Sequence, residues 1–159
     1  CLVTSPHVYR EGKLWRMSYV SGVGWSRNET GYLQSNYHIK LAEGTSPTEW
    51  KREGKVAIDF KEGETNIARP SVIGNIQSGY RMWYSYVLSS VGKYRIGYAE
   101  SKDGDNWCRK DELAGIGLDE QQCQEMICYP ATFYLCGRLY MLFNGDGFGK
   151  RGFGVAVLS

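Results

Sequence analysis

The residues of this 159-residue chain whose types and spacing suit chemistry gather before two of its prolines. Glu64 stands six residues before Pro70 in GETNIARP, and Glu125 five before Pro130 in QEMICYP. Two carboxyls facing one pocket can divide the work of a general acid and a general base. Arg69, immediately before Pro70, is placed to hold a carboxylate, a phosphate or a sugar hydroxyl beside them. The plainer alternative is two solvated loop glutamates, one of them neutralised by Arg69. His7 follows Pro6 and is a lone candidate base; with no aligned Asp or Ser it reads more readily as a satisfied structural histidine. Asp146 lies in the Gly-rich stretch FNGDGFGKRGFG. Lys150 there is followed by Arg151, so phosphate-loop spacing is absent and the stretch reads as a tight hairpin turn with positive charge at its edge. Trp25 in SGVGWSRNETGY, with Tyr32, Tyr37 and Tyr129, falls in or beside loops, where a flat ring either packs on the sheet below or stacks on a sugar face.

Composition limits what can position these groups. Hydrophobic residues make up 42% of the chain and charged ones 23%, an ordinary globular balance for one domain. Twelve Tyr, five Trp and twenty Gly favour strands and turns over helices. A formal charge of +2 with scattered Lys and Arg argues against nucleic acid, and no apolar run approaches the roughly 20 residues that span a bilayer. The opening CLVTSPHVYR lacks the basic start and apolar stretch of a signal peptide. Five cysteines without a CxxC pair suggest reduced thiols and a cytoplasmic setting. His7 and His38, the two histidines, lie far in sequence from Cys123 and Cys128, so neither a metal site nor a cofactor is expected.

Three units can be laid over one another, beginning at Pro6, Pro70 and Pro130, roughly sixty residues apart. In each, the proline opens a short apolar strand, a turn follows at Gly12, Gly79 or Gly137, and an aromatic strand comes next. A longer loop then leads to a third strand with Ala42, Ala99 or Ala156 near its end. The first two units add a turn and an outer strand carrying Trp50 or Trp107, which are assigned to packing, as are Trp15 and Trp83. Lys110–Gln124 is broken by Gly115 and Gly117 and has room for one helical turn at most. Four antiparallel strands per repeat make a propeller blade. The expected fold is therefore all-β, a partial β-propeller with blades over about 1–62, 63–124 and 125–159, the last incomplete. A β-sandwich is the alternative architecture. About four blades are needed to close a ring, so completion by a second copy is expected, a dimer first, with Leu2-Val3 adding a strand to a neighbour's third blade.

The segments PSVI…YRMWYSY, YRIGYAESKDGDNW and YMLFNGDGFGKRGFGVAVL resemble the five-bladed propellers of glycoside hydrolase families 43, 32 and 68, most of all the C-terminal half of uncharacterised bacterial members. SKDGDNW also resembles the sialidase-type Asp-box turn. The resemblance implies three carboxylates, in Asp-Pro, Arg-Asp-Pro and Glu-Gly-Pro motifs at the inner ends of successive first strands. At the aligned places stand Ser5, Arg69 and Cys128, none of them acidic. The function implied is a carbohydrate-binding, glycosidase-like propeller whose catalysis the sequence does not assure, with Arg69, Tyr129, His7, Trp25 and Asp146 as candidate ligand contacts. Two alternatives stand beside it. One is a glycoside hydrolase or glycosyl-transferring enzyme with Glu125 as acid and Glu64 as its base, which requires their carboxyls about 5–9.5 Å apart. The other is a protein-interaction or structural propeller.

Overall fold

The computed structural model of the chain describes residues 2–28, 30–119 and 123–158. It is nearly all β. The first repeat supplies β1 (Val3–Glu11), β2 (Leu14–Arg27), β3 (Leu33–Ser46) and two short outer strands, β4 (Glu49–Lys51) and β5 (Val56–Ile58). The second supplies β6 (Glu64–Asn75), β7 (Gly79–Leu88), β8 (Lys93–Ser101) and β9 (Cys108–Arg109). The third supplies β10 (Cys128–Leu135), β11 (Arg138–Asn144) and β12 (Phe153–Leu158), which form a sheet of their own. Within each repeat the strands pair antiparallel in chain order, except that β4 and β5 both pair with β3, and a single parallel bridge between Tyr37 and Asn66 joins β3 to β6.

The register makes the repeat literal. Val8 pairs with Met17 and Met17 with Ala42; Val72 pairs with Met82 and Met82 with Ala99; Thr132 pairs with Met141 and Met141 with Ala156. Each first strand breaks register around its proline, between Thr4 and His7, Ala68 and Ser71, and Cys128 and Ala131, and β6 has a further break between Glu64 and Asn66. At each proline break the residue before the proline, Ser5, Arg69 or Tyr129, takes a left-handed backbone with φ of 49°, 53° and 58°. Non-glycine residues seldom adopt that conformation, and a bulge of this kind re-aims a side chain out of the pleat.

Alternation along β7 explains the packing. Tyr80, Met82 and Tyr84 point into one core with Ile39, Ile58 and Val72, between the first and second repeats. Trp83 points the other way, into a second core with Ile96, Ile127, Met141 and Phe143, between the second and third. The middle sheet is thus covered on both faces. Polar joints accompany the apolar ones: His7 Nε2 bonds the Val72 carbonyl at 3.0 Å, and Ser71 Oγ accepts the Thr132 N–H at 2.9 Å. These two joints are equivalent, because His7 and Ser71 both follow a repeat's proline, while Val72 and Thr132 both stand two residues after the next one.

Trp50 and Trp107 repeat each other as well. Each donates its indole N–H to the carbonyl three residues earlier, Pro47 at 3.0 Å and Gly104 at 3.1 Å, closing equivalent turns. Some expectations change. Val3 pairs with Ser21 of its own chain and the Leu2 carbonyl accepts the Gly22 N–H, so these residues begin β1, the edge strand of its sheet. Trp15 is only half-buried, beneath the Arg10 guanidinium. The Asp146 stretch is a single irregular helical turn, Asp146–Gly149, with Gly147 and Phe148 left-handed, in place of a tight hairpin. Among the described residues of 110–124 there is one 3-10 turn, Asp111–Leu113, in keeping with the single turn expected there.

Candidate functional site

Glu64 begins β6, and its side chain is only 2% exposed. Arg109, 10% exposed, grips both its oxygens at 2.7 Å, and the Lys61 N–H bonds one of them at 2.8 Å. The same guanidinium bonds Asp111 at 2.9 Å and lies over the rings of Tyr84 and Tyr86. Burial alone would raise the Asp111 pKa. Hydrogen bonds from Lys61 and Tyr84, with the charge of Arg109, outweigh burial and hold it below the ordinary carboxylate value. Glu64 is therefore part of an ionic cluster that ties β6 to β9 and occupies both its carboxylate oxygens. Glu125 is exposed and pairs with Lys93 at 2.8 Å. The two glutamates are held by different cations, and neither lines the groove described below.

Asp146 accepts the backbone N–H groups of Gln124, Glu125 and Met126 at 2.8–3.0 Å, which lowers its pKa and anchors the approach to β10. It also lines a small cavity of about 170 Å³ with Arg151. His7 must donate from Nε2, since its partner is a carbonyl, and burial lowers its pKa, so the ring is neutral. It is a joint between repeats.

Arg69 and Tyr129, the bulge residues of the second and third repeats, do come together. The guanidinium stands 5.1 Å over the Tyr129 ring. Tyr129 lies 5.6 Å from Tyr94 and stacks on Phe148 at 5.9 Å. The Tyr94 hydroxyl shares a 2.6 Å hydrogen bond with that of Tyr37. Burial, then the bond to Tyr37, pushes the Tyr94 pKa far up, so the Tyr94 hydroxyl keeps its proton. The result is a continuous aromatic strip from Arg69 to Tyr37.

That strip opens into a groove of about 570 Å³ between the tip of the β2–β3 hairpin and the strand ends of β6, β7 and β8. Trp25, Tyr37 and Tyr94 give it rings, while Gln34, Asn66 and Ser89 give it amides and a hydroxyl. None of the described lining residues is charged. Trp25 is 68% exposed. Its hairpin is fixed by Asn28, whose side-chain oxygen accepts the N–H groups of Thr30 and Tyr32 and the Thr30 hydroxyl. Asn66 is oriented by donating to the Ser35 carbonyl at 2.7 Å.

Of the candidates, Trp25 lies in this groove and Arg69 and Tyr129 lie at the end of its strip; Glu64, Glu125, His7 and Asp146 are engaged elsewhere. Tyr94 and the amide wall are site residues that inspection of loops alone passes over. A signal for Tyr94 was present, since Tyr37 in YHIKLAEG and Tyr94 in YRIGYAES hold the same place in the repeat.

No family model matches the chain. It is 35% identical over 156 residues to uncharacterised proteins of two Mycobacterium tuberculosis strains, covering 96% of itself and 50% of them. The chain thus spans about half the length of the curated relatives it matches. Among solved structures, it superposes on a family 32 β-fructofuranosidase of Bombyx mori with a TM-score of 0.66 at 14% identity, over 96% of this chain and 33% of that one. A thermostable family 43 glycoside hydrolase gives 0.62 at 14% identity, over 96% and 48%. Sucrose-6-phosphate hydrolase of Lactobacillus gasseri gives 0.64 at 16%, over 91% and 28%. At these identities the likeness is one of fold. Over most of its length the chain is structurally similar to part of the propeller glycoside hydrolases of families 43 and 32.

Proposed function

We propose that the protein is a glycan-binding, glycosidase-like propeller module, and that the groove beside Trp25 is where the glycan lies. The observation that carries this is the lining: rings for stacking, amides and hydroxyls for sugar hydroxyls, and no carboxylate among the described lining residues. Binding, and not hydrolysis, is the chemistry such a wall supports. Hydrolysis by Glu125 and Glu64 fits less well, because both oxygens of Glu64 are taken by Arg109. A glycan array followed by calorimetry on the wild type and Trp25→Ala tests the proposal. A ring stacked on a sugar is worth about 1 kcal/mol, so the variant should bind roughly five-fold more weakly. Its melting temperature should not move, since the ring is exposed. Absence of glycan binding by the wild type, or equal binding by the variant, overturns it.

The blade division at about 1–62, 63–124 and 125–159, with a second copy completing the assembly, belongs to the same proposal. It is supported by the apolar side chains Phe153, Val155 and Val157 standing exposed along β12. Light scattering decides this part: a dimer supports completion by a second copy, and a stable monomer removes it.

A further inference from the structure

Arg69 is the one bulge residue with a formal charge, and its surroundings leave that charge unanswered. Arg16 pairs with Glu11 and Asp105, and Arg109 with Glu64 and Asp111, whereas Arg69 has no carboxylate partner among the described residues. Its side chain is exposed, and its neighbour Cys128 cannot supply a negative charge, because burial pushes that thiol up to about 12. The left-handed backbone at Arg69 turns the side chain out of the pleat, and the Tyr129 ring supports one face of the guanidinium. A guanidinium held by its face keeps its N–H edge for a bidentate acceptor.

The site is continuous with the groove. Tyr94 lines the groove and touches Tyr129, on which Arg69 rests. Asn66 lines the groove three residues before Arg69 on the same strand, a span of roughly 10 Å at about 3.3 Å per residue. A short oligosaccharide seated on Trp25, Tyr37 and Tyr94 reaches the guanidinium.

We propose that the glycan this protein takes is anionic, and that Arg69, backed by Tyr129, receives its carboxylate or phosphate at the end of the groove. The proposal rests on the groove being a glycan site and adds the charge class of the ligand. It makes Arg69 a specificity residue and the groove a source of charge-independent affinity.

The test uses an array of neutral, uronate-containing and phosphorylated glycans, then calorimetry with three probes: trigalacturonate, its methyl ester and glucose 6-phosphate. The wild type should bind at least one anionic class tenfold or more tightly than neutral counterparts, and that preference should weaken with added salt. Preference for trigalacturonate over its ester identifies a carboxylate ligand, and preference for glucose 6-phosphate a phosphate. Arg69→Met should abolish the preference, bringing trigalacturonate binding down to that of its ester, and Arg69→Lys should restore only part of it. Equal binding of anionic and neutral glycans by the wild type, or a preference unchanged in Arg69→Met, overturns the proposal and leaves the glycan groove standing. No binding of any class overturns both. If Arg69→Met melts lower than the wild type, Arg69→Lys carries the comparison, since it keeps a cation beside the Tyr129 ring.

Discussion

Replacing Glu64 by Gln separates a structural carboxylate from a catalytic one. The change keeps the side chain's shape but removes its charge from a site where it is 2% exposed and faces a guanidinium that is 10% exposed. Breaking a buried ion pair from one side costs about 3–5 kcal/mol, because the remaining charge stays desolvated. Arg109 retains Asp111 as a second partner, so the lower end applies, about 3 kcal/mol. For a chain of this length each kcal/mol moves the melting temperature by about 2–4 °C, which predicts a fall of roughly 6–12 °C. Arg109→Met, which takes the guanidinium from both Glu64 and Asp111, should cost at least as much as Glu64→Gln. Thermal unfolding followed by circular dichroism reads both. A Glu64→Gln protein that melts within about 2 °C of the wild type would refute the structural account. It would return Glu64 to the list of groups kept for chemistry.

Other consequences can be checked on the same material. Asp111 is held below its ordinary pKa despite burial, as is Glu11 by the Tyr80 hydroxyl and Asp59 by His38, so their stabilisation is full above the unfolded values near 4 and is lost as pH falls through the folded ones. The melting temperature should drop steeply below about pH 4, and Asp111→Asn, lower at pH 7, should fall less over that range. Iodoacetamide on the native protein should label the exposed Cys108 and Cys136, leaving Cys123 and Cys128 for the unfolded chain; labelling of native Cys128 would contradict its burial. A Cβ at Gly97 would stand 2.5 Å from the Tyr84 ring and 2.7 Å from an Asp111 oxygen, so Gly97→Ala should cost about 1–3 kcal/mol in denaturant unfolding.

Much of this fold was legible because the same constraints recur three times. A proline, a glycine turn and an alanine fix each repeat's strands, and Met17, Met82 and Met141 pair with those alanines. The left-handed bulges were not legible, since Ser5, Arg69 and Tyr129 are not the glycines such backbone favours. Glu64 looked like a site residue because only local neighbours are visible in a sequence. Its partner Arg109 lies 45 residues away and reaches it across the sheet. Asp146 misled for a related reason: an Asp-Gly pair signals a turn, but this carboxylate binds three N–H groups on a segment some twenty residues upstream. The groove itself depends on where hairpin tips meet, which periodicity does not encode.

The joints at His7 and Ser71 have a direction. The first two repeats each offer a side chain just after the proline, and the second and third each receive their predecessor's on the following residue, so the second repeat carries both halves of the connector. A unit of that kind carries its own rule of assembly: duplicating it duplicates the fitting with it, and an inserted copy meets neighbours on both sides already cut to match. Ala131 stands where the third such fitting belongs and has no polar group to offer. The series of polar connectors therefore stops there, and the exposed Phe153, Val155 and Val157 of β12 give that end of the series an apolar edge in place of a polar fitting.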